Sequence, residues 1–148
     1  MQTFVKHKGH SSYEDENVAR VLIADDDELL REILHFKLEN LGYEVVMVAD
    51  GASALKAAQT LSPDVLILDC MMPALSGQEV LNALKREPST AELPVIMLTA
   101  RRGQDDVVAA LRAGAVDYIT KPFMPEELAI RIATVLARRQ SDDQHVNR

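Results

Sequence analysis

Residues 21–27 read VLIADDD, a continuous apolar run followed by three aspartates. A short apolar run rich in β-branched residues is typical of a strand that is buried on both faces of a parallel sheet. Ligands of such sheets bind beyond the carboxyl ends of the strands. The stretch therefore predicts a buried strand with a candidate ligand site, made of carboxylates, at its end.

Four further apolar runs repeat the strand pattern along the chain. Residues 45–48, 65–68 and 95–98 are continuous and rich in Val, Ile and Leu, whereas residues 118–119 form a weaker run. This fifth run ends just before Lys121-Pro122, and a proline cannot continue a hydrogen-bonded ladder. We expect a sheet of five strands.

Apolar residues at helical spacing follow each of these runs. They are Leu30, Ile33, Leu34, Leu38 and Leu41 after the first, Ala54, Leu55, Ala58 and Leu61 after the second, Val80, Leu81 and Leu84 after the third, Val107, Val108 and Leu111 after the fourth, and Leu128, Ile132, Val135 and Leu136 after the fifth. Gly42 and Gly114 are predicted to end the first and fourth helices, and Pro125 to begin the fifth. Five βα units predict a doubly wound α/β fold, with a five-stranded parallel sheet and helices on both faces.

Composition limits the class of protein. The chain has 148 residues, the size of one globular domain, and no apolar run approaches the roughly 18 to 20 residues that span a bilayer. A net charge of −7 argues against direct binding to nucleic acid. A single cysteine and a polar start without a signal-peptide core favour the cytoplasm. Residues 1–18 and 140–148 lack apolar periodicity and are predicted to be flexible tails, which leaves residues 19–139 as the domain.

Reactive side chains stand at the ends of the predicted strands. Asp25 and Asp26 follow the first strand, Asp69 the third, Thr99 the fourth, and Lys121 the fifth. In the common strand order 2-1-3-4-5 the first and third strands are neighbours, so their carboxylates would converge and repel each other unless a cation intervenes. A hard ion with oxygen ligands is implied, and Mg²⁺ fits this donor set.

A cation beside a free carboxylate, with a hydroxyl and an ammonium nearby, is suited to phosphoryl transfer. Asp69 is the predicted nucleophile. Lys121 would neutralise charge on the transferred group, and Thr99 would donate a hydrogen bond to it. This combination is informative because Asp69, Thr99 and Lys121 each stand at the end of a different strand.

The residues around these positions resemble a known family. Matching segments are VLIADDD at residues 21–27, DCMMP at 69–73, MLTA at 97–100 and DYITKPF at 117–123. Over about residues 20–139 the chain is similar to the receiver domain of two-component response regulators. The resemblance implies a flavodoxin-like (βα)5 receiver fold. It also implies a phosphorelay function, in which Asp69 is phosphorylated by a sensor histidine kinase or a histidine phosphotransfer protein.

The resemblance further implies a set of metal ligands. Asp26 and Asp69 would bind Mg²⁺ directly, Met71 would bind it through its main-chain carbonyl, and Asp25 would reach it through water. Residues 71 and 101 flank the route of the attacking water in the family. Because these are Met and Arg here, we expect slow self-dephosphorylation. The resemblance to receivers otherwise implies a signalling protein and not an enzyme.

The resemblance also implies a switch. Thr99 and Lys121 would contact the phosphoryl group, and Tyr118 would swing inward as Thr99 shifts. The Lys121-Pro122 bond is expected to be cis. Phosphorylation would then change a protein-binding surface made of helix 4, strand 5 and helix 5.

Many transcription-factor receivers form a symmetric dimer through that surface. Asp117, Glu127 and Arg131 resemble part of the charge set involved, but Val107 and Val116 stand where those regulators usually carry charges. We therefore expect a monomer or weak dimer whose two valines enlarge an apolar patch for a downstream protein.

Two other functions fit this sequence less well. Asp25 and Asp27 are spaced like the aspartate pair of haloacid-dehalogenase-type phosphatases. Residue 29, however, is Leu where that motif prefers Thr or Val, and no late acidic pair follows residues 97–98. A receiver that has lost phosphorylation would not need all of these site residues. Because the chain stops soon after the fifth helix, a stand-alone receiver is expected, with the receiver part of a truncated transcriptional regulator as the alternative.

Cys70 adjoins the predicted acceptor and could indicate redox sensing. Side chains alternate along a strand, however, so Cys70 should point away from Asp69 and into the apolar layer. We expect it to be a small packing residue.

Overall fold

The computed structural model describes residues 18–100 and 104–146. Strands and helices alternate along the chain, as predicted. They are β1 (Arg20–Ala24), α1 (Glu28–Asn40), β2 (Glu44–Val48), α2 (Gly51–Leu61), β3 (Val65–Asp69), α3 (Gly77–Arg86), β4 (Val95–Thr99), α4 (Gln104–Arg112), β5 (Asp117–Thr120) and α5 (Pro125–Val146). The five strands form one parallel sheet in the order β2-β1-β3-β4-β5, which confirms the predicted fold class and strand order.

Side-chain alternation divides the core into two layers, one on each face of the sheet. One layer packs against α1 and α5 and includes Val21, Ile23, Ile67, Ile96 and Leu98. The other packs against α2, α3 and α4 and includes Leu22, Ala24, Leu66, Leu68 and Met97. Consecutive strand residues enter opposite layers, which explains why the runs are apolar at every position.

Polar side chains fix where the helices begin. Asp27 accepts a hydrogen bond from the backbone N–H of Leu30 at the start of α1, and Asp50 accepts one from Ser53 at the start of α2. At the start of α3, the side chains of Ser76 and Glu79 form a capping box. The loops that precede these helices are therefore held at the carboxyl end of the sheet.

Two details differ from the sequence analysis. Ile33 and Leu41 lie at apolar positions of the pattern but are 43% and 53% exposed, because α1 buries only Leu34 and Leu38 fully. The helix α5 continues through residues 140–146, a stretch assigned above to the C-terminal tail. This stretch contains no Gly or Pro, so no residue in it interrupts the helix.

Residues 1–17 of the predicted N-terminal tail lie outside the described part of the chain. Among the described helices, none combines the length and hydropathy needed to cross a bilayer.

Candidate functional site

Strand register brings the acidic residues to one level of the sheet. Ala24 pairs with Leu68 across β1 and β3, so the residues that follow them, Asp25 and Asp69, lie side by side. Oxygen atoms of Asp25, Asp26 and Asp69 all lie within 4.8 Å of one another. Asp25 and Asp69 are buried, with 0% and 4% exposure, and Asp26 is exposed to solvent. The predicted carboxylates therefore form one cluster with a single open side.

Backbone N–H groups hold one oxygen of each buried carboxylate. The amide of Asp27 donates to Asp25 Oδ1 at 2.9 Å, and the amide of Met71 donates to Asp69 Oδ1 at 3.3 Å. These bonds fix the two side chains in orientation. The remaining oxygen of each, Oδ2, is directed toward a shared partner.

Lys121 is that partner. Its Nζ lies 2.8 Å from Asp25 Oδ2 and 3.4 Å from Asp69 Oδ2. The backbone N–H of Lys121 donates to the carbonyl of Thr99 at 2.7 Å, which anchors the lysine at the end of β4. The Lys121-Pro122 peptide bond is cis, as the resemblance implied.

The carboxylates of the cluster outnumber the one ammonium beside them. Burial and the neighbouring Asp25 carboxylate raise the pKa of Asp69, although Lys121 acts in the opposite direction. Burial alone would lower the pKa of Lys121, but the contacts with Asp25 and Asp69 outweigh it and raise that pKa. The lysine is therefore a firmly protonated cation that offsets only part of the negative charge.

The donor set fits a hard divalent cation. Asp25 Oδ2 is buried, and its close partner among the described residues is the ammonium of Lys121 at 2.8 Å. Carboxylate and carbonyl oxygens are the ligands that Mg²⁺ prefers. An ion bound on the exposed side, at Asp26, would compensate the charge that the lysine leaves.

Comparison with known proteins is consistent with this geometry. A family model described as the response regulator receiver domain matches residues 21–133. The chain belongs to the response regulator receiver family. The two-component signalling class predicted from the sequence is thereby confirmed.

Individual relatives agree with the assignment. The phosphate regulon transcriptional regulatory protein PhoB of Escherichia coli (strain K12) is 44% identical over 119 residues, which make up 80% of this chain and 52% of PhoB. The receiver domain of Francisella response regulator 1452 superposes with a TM-score of 0.77 at 35% identity, covering 82% of this chain and 98% of that one. The chain spans about half the length of the curated relatives it matches.

A third relative bears on the metal. The receiver domain of sensor histidine kinase PA1611 from Pseudomonas aeruginosa PAO1 was solved with a magnesium ion coordinated in its active site cleft. It is 30% identical, with a TM-score of 0.74, and covers 81% of this chain and 98% of that domain. A solved member of the receiver family therefore binds Mg²⁺ in its active site cleft.

Thr99 and Tyr118 of the receiver line one cavity. The two residues lie on adjacent strands and on the same face of the sheet, and the cavity between them and α4 measures about 380 Å³. Thr99 is buried, and Tyr118 is half-buried. The cavity offers room for the tyrosine ring beside the threonine.

The side chain of Cys70 lies on the same face of the sheet as that of Thr99 and on the opposite face from that of Asp69. It is half-buried, packs against the α2–α4 layer, and lines the cavity. This orientation agrees with the alternation argument. Arg101, expected above to act on the lifetime of the phosphorylated state, lies outside the described residues.

Two residues near the site were missed by the sequence analysis. Gly77 begins α3 so close to β3 that a Cβ there would lie 2.2 Å from the carbonyl oxygen of Asp69. Arg31 reaches back from α1 and donates to the carbonyl of Asp25 at 2.8 Å. The capping pattern of Ser76 and Glu79 could have indicated the helix start at Gly77, but no sequence signal predicts the contact of Arg31.

The phosphatase alternative gains no support from the geometry. Asp27, which would act as its acid or base, is exposed and caps α1. It is absent from the cluster formed by Asp25, Asp26 and Asp69.

Proposed function

We propose that this receiver accepts a phosphoryl group on Asp69 in an Mg²⁺-dependent reaction and thereby switches a protein-binding surface. The observation that carries the proposal is a buried carboxylate at the end of β3, held beside Asp25, Asp26 and the ammonium of Lys121. Asp69 Oδ1 is bound by a backbone amide. Oδ2, which lies 3.4 Å from the ammonium of Lys121, is the proposed nucleophilic oxygen.

The proposed reaction is a transfer from phosphohistidine to carboxylate. An oxygen of Asp69 bonds to phosphorus while the P–N bond breaks, leaving its electron pair on the imidazole nitrogen, which takes up a proton. Lys121 moves from its ion pair with Asp69 to an oxygen of the phosphoryl group, and Thr99 donates a hydrogen bond to another. Mg²⁺ held by Asp26, Asp69 and the Met71 carbonyl, with Asp25 through water, would neutralise charge on the same oxygens.

A protein donor is favoured by the rim of the site. Leu29, Met71 and Met124 follow β1, β3 and β5 respectively, and they are 67%, 61% and 67% exposed. Large apolar side chains exposed around a charged site are typical of a protein-binding surface. They support docking of a sensor histidine kinase or a histidine phosphotransfer protein at the rim.

Slow self-dephosphorylation accompanies this proposal. Met71 follows the acceptor by two residues, and its exposed thioether is only a weak hydrogen-bond acceptor, so it orients a water molecule poorly.

The proposed output is a rearrangement of Thr99 and Tyr118 that alters the surface of α4, β5 and α5. To move the receiver from 1:99 to 99:1, the phosphoryl group must favour the active state by about 5.5 kcal/mol. Thr99 and Lys121 would supply much of this difference. Thr99→Ala should therefore still bind beryllofluoride but leave the NMR signals of Tyr118 mostly unshifted, and a full shift would contradict the proposed coupling.

A titration with Mg²⁺ and beryllofluoride, an analogue of the phosphoryl group, tests the proposed acceptor. We expect saturable, Mg²⁺-dependent binding in the wild type and none in Asp69→Asn. Asp27→Asn is the matched control, because Asn caps a helix as well as Asp and residue 27 lies outside the cluster. Binding that persists in Asp69→Asn, or that needs no Mg²⁺, would refute the assignment.

A transcription-factor output is the second candidate. It is favoured by curated relatives such as PhoB, a transcriptional regulatory protein of which the matched 119 residues make up 52%. Reading the gene beyond the codon for Arg148 tests it, because a DNA-binding domain encoded in frame would establish this output and an immediate stop codon would oppose it. The cytoplasmic location and the lack of direct nucleic-acid contact remain predictions.

A further inference from the structure

A second cavity lies at the opposite end of the sheet from Asp69. It is bounded by the end of α3, the loop that leads into β4, the start of β5 and the second half of α5. Its volume is about 390 Å³. Its charged lining residues are Lys85, Glu92, Arg138 and Arg139, and Val116 and Val135 form part of its apolar wall. We call it the amino-end cleft. Its volume is in the range of small-molecule sites in proteins.

The lining of the amino-end cleft carries a net positive charge, whereas the whole chain is negatively charged. Three cations and one anion line it, whereas the chain as a whole carries a net charge of −7. A cationic concavity on an acidic protein attracts small anions selectively, because field lines are focused in a cleft with low-dielectric walls.

Lys85 is only partly solvated in this cleft. Its Nζ donates to the carbonyls of Ala91 and Leu93 at 3.0 and 2.9 Å, and its stem lies against Gly114, where a Cβ would come within 3.0 Å of Cε. The third N–H has no acceptor among the residues that the structure describes. Burial lowers the pKa of Lys85, with the charge of Glu92 acting in the opposite direction. Glu92 therefore offsets part of the cost of burying the ammonium, and a bound anion would offset more of it.

The two arginines of the cleft differ in their hydrogen bonding. Arg139 donates to the carbonyl of Asp64 at 2.7 Å and is thereby tied to the loop before β3. Arg138 is exposed and makes no hydrogen bond or ion pair within the described part of the chain. Its guanidinium can pair with two oxygens of a carboxylate or a phosphate at once.

We propose that the amino-end cleft binds a small organic anion, with its charged end at Lys85 and Arg138 and its hydrocarbon body against Val116 and Val135. The half-buried ammonium, the unengaged guanidinium and the apolar wall match the parts of such a ligand. This site is independent of the acidic cluster and of the function proposed for it.

Amide NMR titration of the full chain tests the proposal. The probes are benzoate and phenyl phosphate, which present the two anionic groups on the same ring, and neutral benzamide. We expect saturable shifts of the Leu93, Val116 and Arg139 amides with at least one anion, at a dissociation constant of about 1 mM for ligands of this size. The anion that binds more tightly identifies the preferred head group.

Two substitutions make the test specific. Arg138→Gln, at an exposed position, should weaken binding about tenfold, as expected for loss of a charge-assisted bond. Lys56→Gln removes one charge from the exposed face of α2 and should leave binding unchanged. The proposal is overturned by equal binding of benzamide, by equal weakening in both variants, or by shifts that never saturate.

Discussion

Asp69 and Asp25 are two buried carboxylates that share the ammonium of Lys121. The negative charge of Asp69, the proposed acceptor, therefore lowers the stability of the folded protein. The charge of Asp25 and burial both raise the pKa of Asp69, which means that the folded protein holds a proton there more tightly than the unfolded chain does. Ionised Asp69 therefore costs stability, and this cost grows as the pH rises from the ordinary aspartate pKa through the raised one.

We predict that Asp69→Asn is more stable than the wild type in the absence of Mg²⁺, by on the order of 1 kcal/mol at pH 7. The difference should shrink as the pH falls below the pKa of Asp69, and it should also shrink when Mg²⁺ is added. Urea unfolding with and without Mg²⁺ measures it, with Asp27→Asn as the exposed control. A less stable Asp69→Asn would show that Lys121 already compensates the cluster in full.

At the scale of elements, two glycines allow helix starts to lie close to neighbouring backbone. A Cβ on Gly77 would lie 2.2 Å from the Asp69 carbonyl oxygen, and one on Gly51 would lie 2.1 Å from the carbonyl oxygen of Leu75. Both contacts are with backbone, which cannot rotate aside as a flexible side chain can. Either alanine substitution must displace a helix start.

We predict that Gly77→Ala and Gly51→Ala each destabilise the fold by about 1–3 kcal/mol, the usual range for overpacking. Only Gly77→Ala should also weaken Mg²⁺ binding, because its clash moves the backbone of Asp69. Thermal unfolding and calorimetric Mg²⁺ titration separate the two effects. Equal loss of Mg²⁺ affinity in both variants would mean that general destabilisation, rather than the position of β3, controls the site.

The sheet itself was predictable because its signals are local. The three central strands β1, β3 and β4 are buried on both faces, so their residues form continuous apolar runs, and the carboxylates stand at the ends of β1 and β3. Adjacency of β1 and β3 then suffices to bring Asp25 and Asp69 to one level. Fold class and the positions of the acidic residues therefore followed from short stretches of sequence.

Contacts between distant elements were not predictable in the same way. The closer approach of Lys121 to Asp25 than to Asp69 depends on where the β5–α5 loop settles. Val107 lines the cavity beside α4 and Val116 lines the amino-end cleft, which the sequence pattern did not indicate, and the apolar patch expected of the two valines stays a prediction. Such outcomes depend on packing geometry, which no single segment encodes.

For the whole molecule, the pairing of surface charges bears on self-association. Arg131 contacts Asp117 at 2.8 Å and Glu127 at 3.4 Å within the same chain. A symmetric dimer through this face would have to exchange these pairs for intermolecular ones, and exposed pairs contribute only about 0–1 kcal/mol each. The net gain from charge pairing should therefore be small.

We predict a monomer at micromolar concentration, both with and without Mg²⁺ and beryllofluoride. Sedimentation velocity of the two samples measures this. Asp117→Arg should leave the sedimentation coefficient unchanged, as should the control Glu28→Arg on α1. A tight dimer in the activated sample, lost in Asp117→Arg alone, would instead show that the dimer of transcription-factor receivers is retained.

The most direct test of the proposed function is to locate the phosphoryl group. The wild type, Asp69→Asn and Asp27→Asn are incubated with acetyl phosphate and Mg²⁺, and the acyl phosphate is reduced with borohydride and mapped by mass spectrometry. We predict one modified residue, Asp69, in the wild type and in Asp27→Asn, and no modification in Asp69→Asn. A modification that maps to Asp25 or Asp26, or that persists in Asp69→Asn, would contradict the assignment of Asp69 as the acceptor.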